Sequence, residues 1–302
     1  MPKKNLSLIL IHFLENGDEK MIREAKYAGS WYEGTESALR ETLKRFFEED
    51  ERGPKKVPEV NEAGPRNIIA IVSPHAGYTY SGAIAAHAYV ELAFDGRPAL
   101  FIVVGIDHRG AGAAPASIQV EGGWQTPLGL AKINSDVAKK ILENSEKIQD
   151  SPRAHSYEHS LELQIPFLQY IFGEIEFVPI MISSGSLAVF QEVGSAIAKA
   201  CQQENVVLIA STDFTHFEPA ESAKAQDQKA INAILKLNEE LLYKTVRSNG
   251  ISMCGYGSTS TVIRAARELG AKKAVLLKYG NSGEVSGDYH SVVGYGALKI
   301  MK

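Results

Sequence analysis

Three histidines of this 302-residue chain each stand just beyond a short, apolar run rich in β-branched residues. Ile68–Ser73 leads into Pro74-His75-Ala76-Gly77-Tyr78, and Leu100–Gly105 into Ile106-Asp107-His108-Arg109-Gly110. Val206–Ser211 leads into Thr212-Asp213-Phe214-Thr215-His216. Imidazole is both a metal ligand and a base, and in open α/β sheets the ligand crevice lies outside the carboxyl ends of the strands. If the three runs are parallel neighbours, the three imidazoles converge on one rim. A lone histidine after a strand is more often a satisfied loop residue than a ligand. Three of the chain's eight histidines in the same topological position reverse that expectation. Asp213 joins them as a candidate, although Asp is also a common turn residue.

Two further segments carry chemistry. Cys254, in Met253-Cys254-Gly255-Tyr256-Gly257, precedes a predicted helix, where the positive end of the dipole favours the thiolate. The alternative is a small buried residue in a glycine-rich turn. His155-Ser156-Tyr157-Glu158-His159-Ser160 packs two histidines and a carboxylate at a helix start. Glu158 there is an electrostatic helix-start residue, an acid or base over the crevice, or the orienter of a ligand histidine. Two histidines plus one anionic ligand leave coordination positions open. With a carboxylate this is the non-haem Fe(II) pattern; with cysteine the set also admits Zn or Cu. His87 falls within a predicted helix and reads as structural, and neither His12 nor His290 has a strong case. Cys201 shares a helical stripe with Leu187, Phe190 and Ile197 and reads as a packed core thiol.

These residues belong to a series of ordered motifs that resembles the Memo family, whose prokaryotic members are described as AmmeMemoRadiSam system protein B. The series comprises Ala28-Gly29-Ser30-Trp31-Tyr32, Pro74 to Gly82, Thr126-Pro127-Leu128-Gly129 and Glu158-His159-Ser160-Leu161-Glu162. It continues with Ser211-Thr212-Asp213 and His216, Cys254-Gly255-Tyr256-Gly257, and Ser291-Val292-Val293-Gly294-Tyr295. The family is similar in fold to the catalytic subunit of class III extradiol dioxygenases. The resemblance implies a metal pocket with His75, His108 and Cys254 as ligands, Fe(II) favoured and Zn or Cu admissible. It implies His216 as acid/base with Asp213 beside it, and leaves Glu158 and His159 as further catalytic candidates. Cysteine stands where the dioxygenases place glutamate, which argues against ring cleavage because a thiolate alters the iron and is itself oxidisable. The family's usual Gly-Pro-Asn-His is Gly105-Ile106-Asp107-His108 here. Asp107 would favour a cation if it faced the pocket. Glu33 replaces the usual proline after Ser-Trp-Tyr.

The elements that must position these groups follow from periodicity. Apolar runs at Ile68–Ser73, Leu100–Gly105, Glu176–Ile182, Val206–Ser211 and Ala274–Tyr279 predict strands buried on both faces, as in a parallel sheet. Helices are predicted from Thr35, as N-cap, to about Phe47, and at Ser81–Phe94, Ser135–Glu143, Leu187–Gln202, Glu221–Leu237 and Tyr256–Leu269. His159–Phe172 fits both periods, and Pro166 favours a kinked helix. Glu51–Asn67, with three prolines, reads as a surface loop. The expected fold is single-domain α/β over residues 21–302, a largely parallel sheet flanked by helices, with residues 1–20 as a peripheral extension. The apolar stretch Leu6 to Leu14 is too short to span a bilayer and lacks a cleavage site.

Composition narrows the function. A chain 44% apolar and 23% charged has material for a large core and no bias toward disorder. A net charge of −4 without a basic stripe argues against nucleic acid. Two cysteines form no disulfide framework and suit a reducing cytoplasm. Gly110-Ala111-Gly112 is a poor match to a dinucleotide fingerprint, since Pro115 occupies the next glycine position, and no nucleotide cofactor is expected. No Gly-x-Ser-x-Gly elbow supports serine hydrolysis. Two functions remain. One is a metal-dependent redox enzyme acting on an unknown small molecule. The other is a binding or adaptor protein using the same pocket for a peptide or modified partner, as family members in animals are described. The family name also implies a link to radical SAM and AMMECR-type proteins.

Overall fold

A computed structural model describes residues 21–183 and 185–302; residues 1–20, with His12 and the expected peripheral extension, lie outside the described residues. The strands are β1 (Ile22–Arg23), β2 (Ile68–Ser73), β3 (Leu100–Ile106), β4 (Ala116–Ile118), β5 (Gly123–Thr126) and β6 (Gly129–Ile133). They continue as β7 (Ile148–Asp150), β8 (Glu176–Ile182), β9 (Val206–Ser211), β10 (His216–Glu218), β11 (Lys273–Asn281) and β12 (Val292–Met301). The helices are α1 (Glu36–Glu48), α2 (Tyr78–Asp95), α3 (Ser135–Glu143), α4 (His159–Glu162) and α5 (Ile165–Phe172). After them come α6 (Leu187–Cys201), α7 (Ala220–Leu235), α8 (Glu239–Asn249), α9 (Tyr256–Glu268) and α10 (Gly283–Ser286).

The strands run β1-β5-β6-β8-β3-β9-β2-β12-β10 across one mixed sheet. Its centre, β8-β3-β9-β2, is parallel throughout. All of β2, β3 and β9 is buried, as continuous apolar runs predict for strands covered on both faces. Helix α2 packs on β2, β11 and β12, while α9 packs on the central strands with α6 behind it. The fold class is therefore the expected one: α/β, a single domain, a largely parallel sheet flanked by helices.

Three local expectations change. Ala274–Tyr279 is not a buried parallel strand; it lies in β11, antiparallel to β12 and half-exposed along most of its length. An edge strand with Lys273 and Lys278 does not need two covered faces. The kink in His159–Phe172 is a break: α4 ends at Glu162, and Pro166 lies in the first turn of α5, where its missing N–H costs no helical bond. Thr35 does occupy the N-cap of α1, but its side chain makes no capping bond. What holds α1 is burial of Leu39, Leu43, Phe46 and Phe47. Gly82 on α2 permits this contact, since a Cβ there would stand 2.3 Å from the Phe46 ring.

Among the described residues, no helix is long and apolar enough to cross a membrane. Cys201 is buried in the core, where burial pushes its thiol up to about 12. The His87 ring bonds the Arg52 carbonyl at 2.8 Å, a structural contact far from the sheet rim.

Candidate metal centre

Strand order alone brings the three histidine-bearing segments together. β9 lies between β2 and β3, with Ser73 opposite Ser211 and Val104 opposite Ala210. The chain leaving β2 and β3 thus delivers His75 and His108 to one rim, with the β9 exit between them. The His75 and His108 rings meet edge to face, centroids 5.2 Å apart. Cys254 arrives from the start of α9. Gly255 allows this approach, because a Cβ there would stand 2.5 Å from Thr212 Cβ and 2.6 Å from the Ser211 carbonyl. Cys254 Sγ lies 3.3 Å from His75 Nε2, and the donor atoms of His75, His108 and Cys254 all fall within 4.8 Å of one another.

Hydrogen bonding fixes which imidazole nitrogen faces this group. His75 Nδ1 lies 2.9 Å from Ser211 Oγ, whose single proton goes to the Ser160 carbonyl at 2.6 Å. Ser211 can therefore only accept from His75, so Nδ1 carries the proton and Nε2 presents a lone pair toward Cys254. Gln164 Nε2 supplies a second donor to Ser211 Oγ at 2.8 Å and bonds the Pro74 carbonyl at 3.0 Å. His108 Nδ1 lies 2.8 Å from Glu158 Oε1, and a carboxylate can only accept. Its Nε2 is likewise the free nitrogen. His216 Nδ1 faces the carbonyls of Phe214 (2.7 Å) and Ser252 (3.0 Å), which also leaves Nε2 as the lone-pair nitrogen.

These donors fit a metal ion. Typical Zn–S and Zn–N bonds in tetrahedral geometry place the two ligand atoms about 3.5 Å apart, close to the observed 3.3 Å. Burial, reinforced by the neighbouring His108, holds the His75 imidazolium well below its usual range, so the ring stays neutral as a ligand must. Burial and the Asp213 carboxylate push the Cys254 thiol up, against the helix-dipole expectation that thiolate is favoured. A divalent cation reverses that preference by drawing the thiolate to itself.

Glu158 lies outside the cavity, almost fully buried. Its carboxylate takes the His108 backbone N–H at 2.9 Å, the Ser160 N–H at 2.8 Å and the His108 ring. Burial alone would raise this acid; the hydrogen bonds from the His108 ring and the Ser160 N–H help outweigh it and hold it down to about 2. Glu158 thus orients His108. His159 stacks on His108 at 4.2 Å and 25°. Near-parallel rings aim their in-plane lone pairs side by side, so His108, Glu158 and His159 are a poor chelating set despite their proximity. Burial and the flanking histidines pull His159 down to about 3. Asp213 Oδ1 accepts the His75 N–H at 2.8 Å, while burial pushes the acid up.

A cavity of about 480 Å³ opens over this group. His75, His108, His159, Asp213 and His216 reach its wall together with Trp31 from a flanking loop and Tyr80 from the first turn of α2. Cys254 is not on the wall itself. Asp107 does not face the cavity: its oxygens accept the N–H groups of Arg109, Ala111 and Gly112 and tie down its own loop. His155 is buried away from the cavity with neither ring nitrogen bonded, and His290 is exposed.

Three contributors were not singled out as site residues from the sequence, because their partners are distant in the chain. Ser211 and Gln164 set the His75 tautomer. Glu162 pairs with Arg23 at 2.6 Å, both buried, and also accepts from Tyr27 N at 2.9 Å and Tyr32 Oη at 2.8 Å. That bond set clamps the loop carrying Trp31 against α4. An acid inside the apolar start of α4 was the one available hint.

A family model described as Memo-like protein matches residues 23–299. A MEMO1 family protein of Methanopyrus kandleri is 42% identical over 281 residues, 92% of this chain and 98% of the relative. One of Nitrosopumilus maritimus is 40% identical over 282 residues, 93% of this chain and 100% of the relative. The crystal structure of uncharacterized protein JW3007 from Escherichia coli K12 aligns with a TM-score of 0.53. At 16% identity, covering 77% of this chain and 99% of that one, it shares the fold.

Proposed function

The chain belongs to the Memo family, and from that premise and the rim geometry we propose that it is a metal-dependent redox protein acting on a small molecule. His75, His108 and Cys254 hold one ion. The observation that carries this reading is tautomeric: Ser211 and Glu158 each hold a proton on Nδ1, which leaves Nε2 as the lone-pair nitrogen of both histidines, that of His75 3.3 Å from Cys254 Sγ. A histidine whose far nitrogen donates to a fixed acceptor is the usual arrangement at metal sites.

A bound ion supplies Lewis acidity and, for iron or copper, a redox centre at the cavity floor. The chain's own residues do the rest. His216 Nε2 takes or returns a proton of the bound molecule, with Asp213 beside it. Trp31 and Tyr80 flank the molecule and limit water. Two histidines and a thiolate make a softer site than two histidines and a carboxylate, which suits Fe(II), Zn or Cu(I).

Elemental analysis of protein purified without a histidine tag is the direct test, after reconstitution with Fe(II), Zn(II) and Cu(I). About one metal per chain is expected, lost in the His75→Ala/His108→Ala variant. No stoichiometric metal under any of these conditions would sink the proposal.

A further inference from the structure

The edge strand β10 holds its middle residue at a conformational cost that nothing in the fold offsets. Phe217 has φ +63°, in the left-handed region that a bulky side chain rarely enters, and is 75% exposed. Among the described residues two other non-glycines share a positive φ, and both use their side chains. Leu237 is buried just past α7, and the Lys55 ammonium bonds the Glu49 carbonyl at 2.7 Å. Glycine would give position 217 the same backbone without steric penalty, so the ring has its use outside the fold. A β-bulge sets where that ring goes. Consecutive side chains of a regular strand leave on opposite faces. Pairing of β10 with β12 shifts register between His216 and Glu218, which leaves Phe217 as the bulged residue. Its ring turns back against the His216 ring, edge to face at 5.7 Å and 72°. Bulges re-aim side chains in this way next to functional sites. His216 and Val293, its partner on β12, both line the cavity, so Phe217 stands at the outer side of that wall.

Resting on the reading of this cavity as a ligand site, we propose that Phe217 is its outer specificity contact. The small molecule taken up is longer than the cavity: its polar end lies at the rim histidines, and an apolar aryl or alkyl group covers the Phe217 ring. The test is isothermal titration of the full chain, metal-free and metal-reconstituted, with two probes of one chemistry and different reach. 2-Phenylethanol is short enough to lie within the cavity, and 6-phenylhexanol extends past its mouth. The longer probe is expected to weaken about fivefold in Phe217→Gly, while 2-phenylethanol binds both proteins equally. Phe217→Trp should restore the affinity for the longer probe. Phe217→Gly should also melt no lower than wild type by calorimetry, since glycine takes the positive φ without strain. If glycine loosens the bulge, Phe217→Asn, which tolerates the same φ, repeats the comparison. Four results overturn the proposal: no binding of either probe, an unchanged affinity for the longer one, equal loss of both, or a lower melting midpoint in both variants. The last two would make the ring a support of the fold. Dependence on Phe217 in protein that takes up no metal would end the metal reading and leave this one standing. Metal uptake with no dependence on Phe217 would do the reverse.

Discussion

At the scale of single residues, the site depends on protons held in place by groups that never touch the cavity. Glu158→Gln removes the obligatory acceptor from His108 Nδ1 and permits the wrong tautomer. Loss of such a partner commonly costs 10–100-fold in metal affinity, and we expect about that range for Glu158→Gln and Ser211→Ala by competition with a chromogenic chelator. Glu158 also predicts an acid dependence. Its folded value, about 2, lies below its ordinary 4.5, so its contribution to stability is complete above about 4.5 and is lost as pH falls toward 2. Acid titration followed by circular dichroism should show wild type losing more stability than Glu158→Gln across that window. A variant that tracks wild type through it would remove the charge argument. The sequence made His75, His108, Cys254, Asp213 and His216 visible because each lies two to five residues past a readable strand or just before a readable helix. Ser211 and Gln164 were invisible as orienters, since nothing local marks a serine that accepts from one histidine.

At the scale of elements, periodicity recovered the strands and helices that bury a continuous face, and failed where tertiary pairing decides. Ala274–Tyr279 is mostly apolar but carries Lys278, and β12 pairs on one side of it and leaves the other as an edge. The α4–α5 segment satisfied two periods because it is two short helices joined at Leu163-Gln164. Its placement rests on Arg23–Glu162, an ion pair across 139 positions whose members have side chains 6% and 1% exposed. Removing one member of a buried pair strands the other charge, at a cost on the order of 3–5 kcal/mol. Glu162→Gln should therefore lower stability by about 3 kcal/mol in urea unfolding. It should also free the Trp31 loop, seen as increased proteolysis near Ala28–Tyr32. A change below about 1 kcal/mol with the loop intact would show that the neighbouring bonds to Tyr27 and Tyr32 suffice without the charge.

At the scale of the whole molecule, the His75 and His159 imidazoles, held low by burial, and the raised Cys254 thiol couple the site to the fold. Polar groups gathered at the ends of three adjacent strands gain little from one another. A ligand that satisfies them binds the native chain and not the unfolded one. The shift in stability then follows mass action: about 2.7 kcal/mol at a free-metal concentration 100 times the dissociation constant. For a domain of this size that corresponds to a rise in melting temperature of roughly 5 °C. Differential scanning calorimetry across a metal titration should show the midpoint climbing with the logarithm of free metal in wild type and staying flat in His75→Ala/His108→Ala. Cys201, equally a thiol but buried in the core, provides an internal contrast, since Cys201→Ala should lower the baseline while preserving the slope. Equal slopes in wild type and the double-histidine variant would place any bound metal elsewhere on the surface and detach stability from the sheet rim.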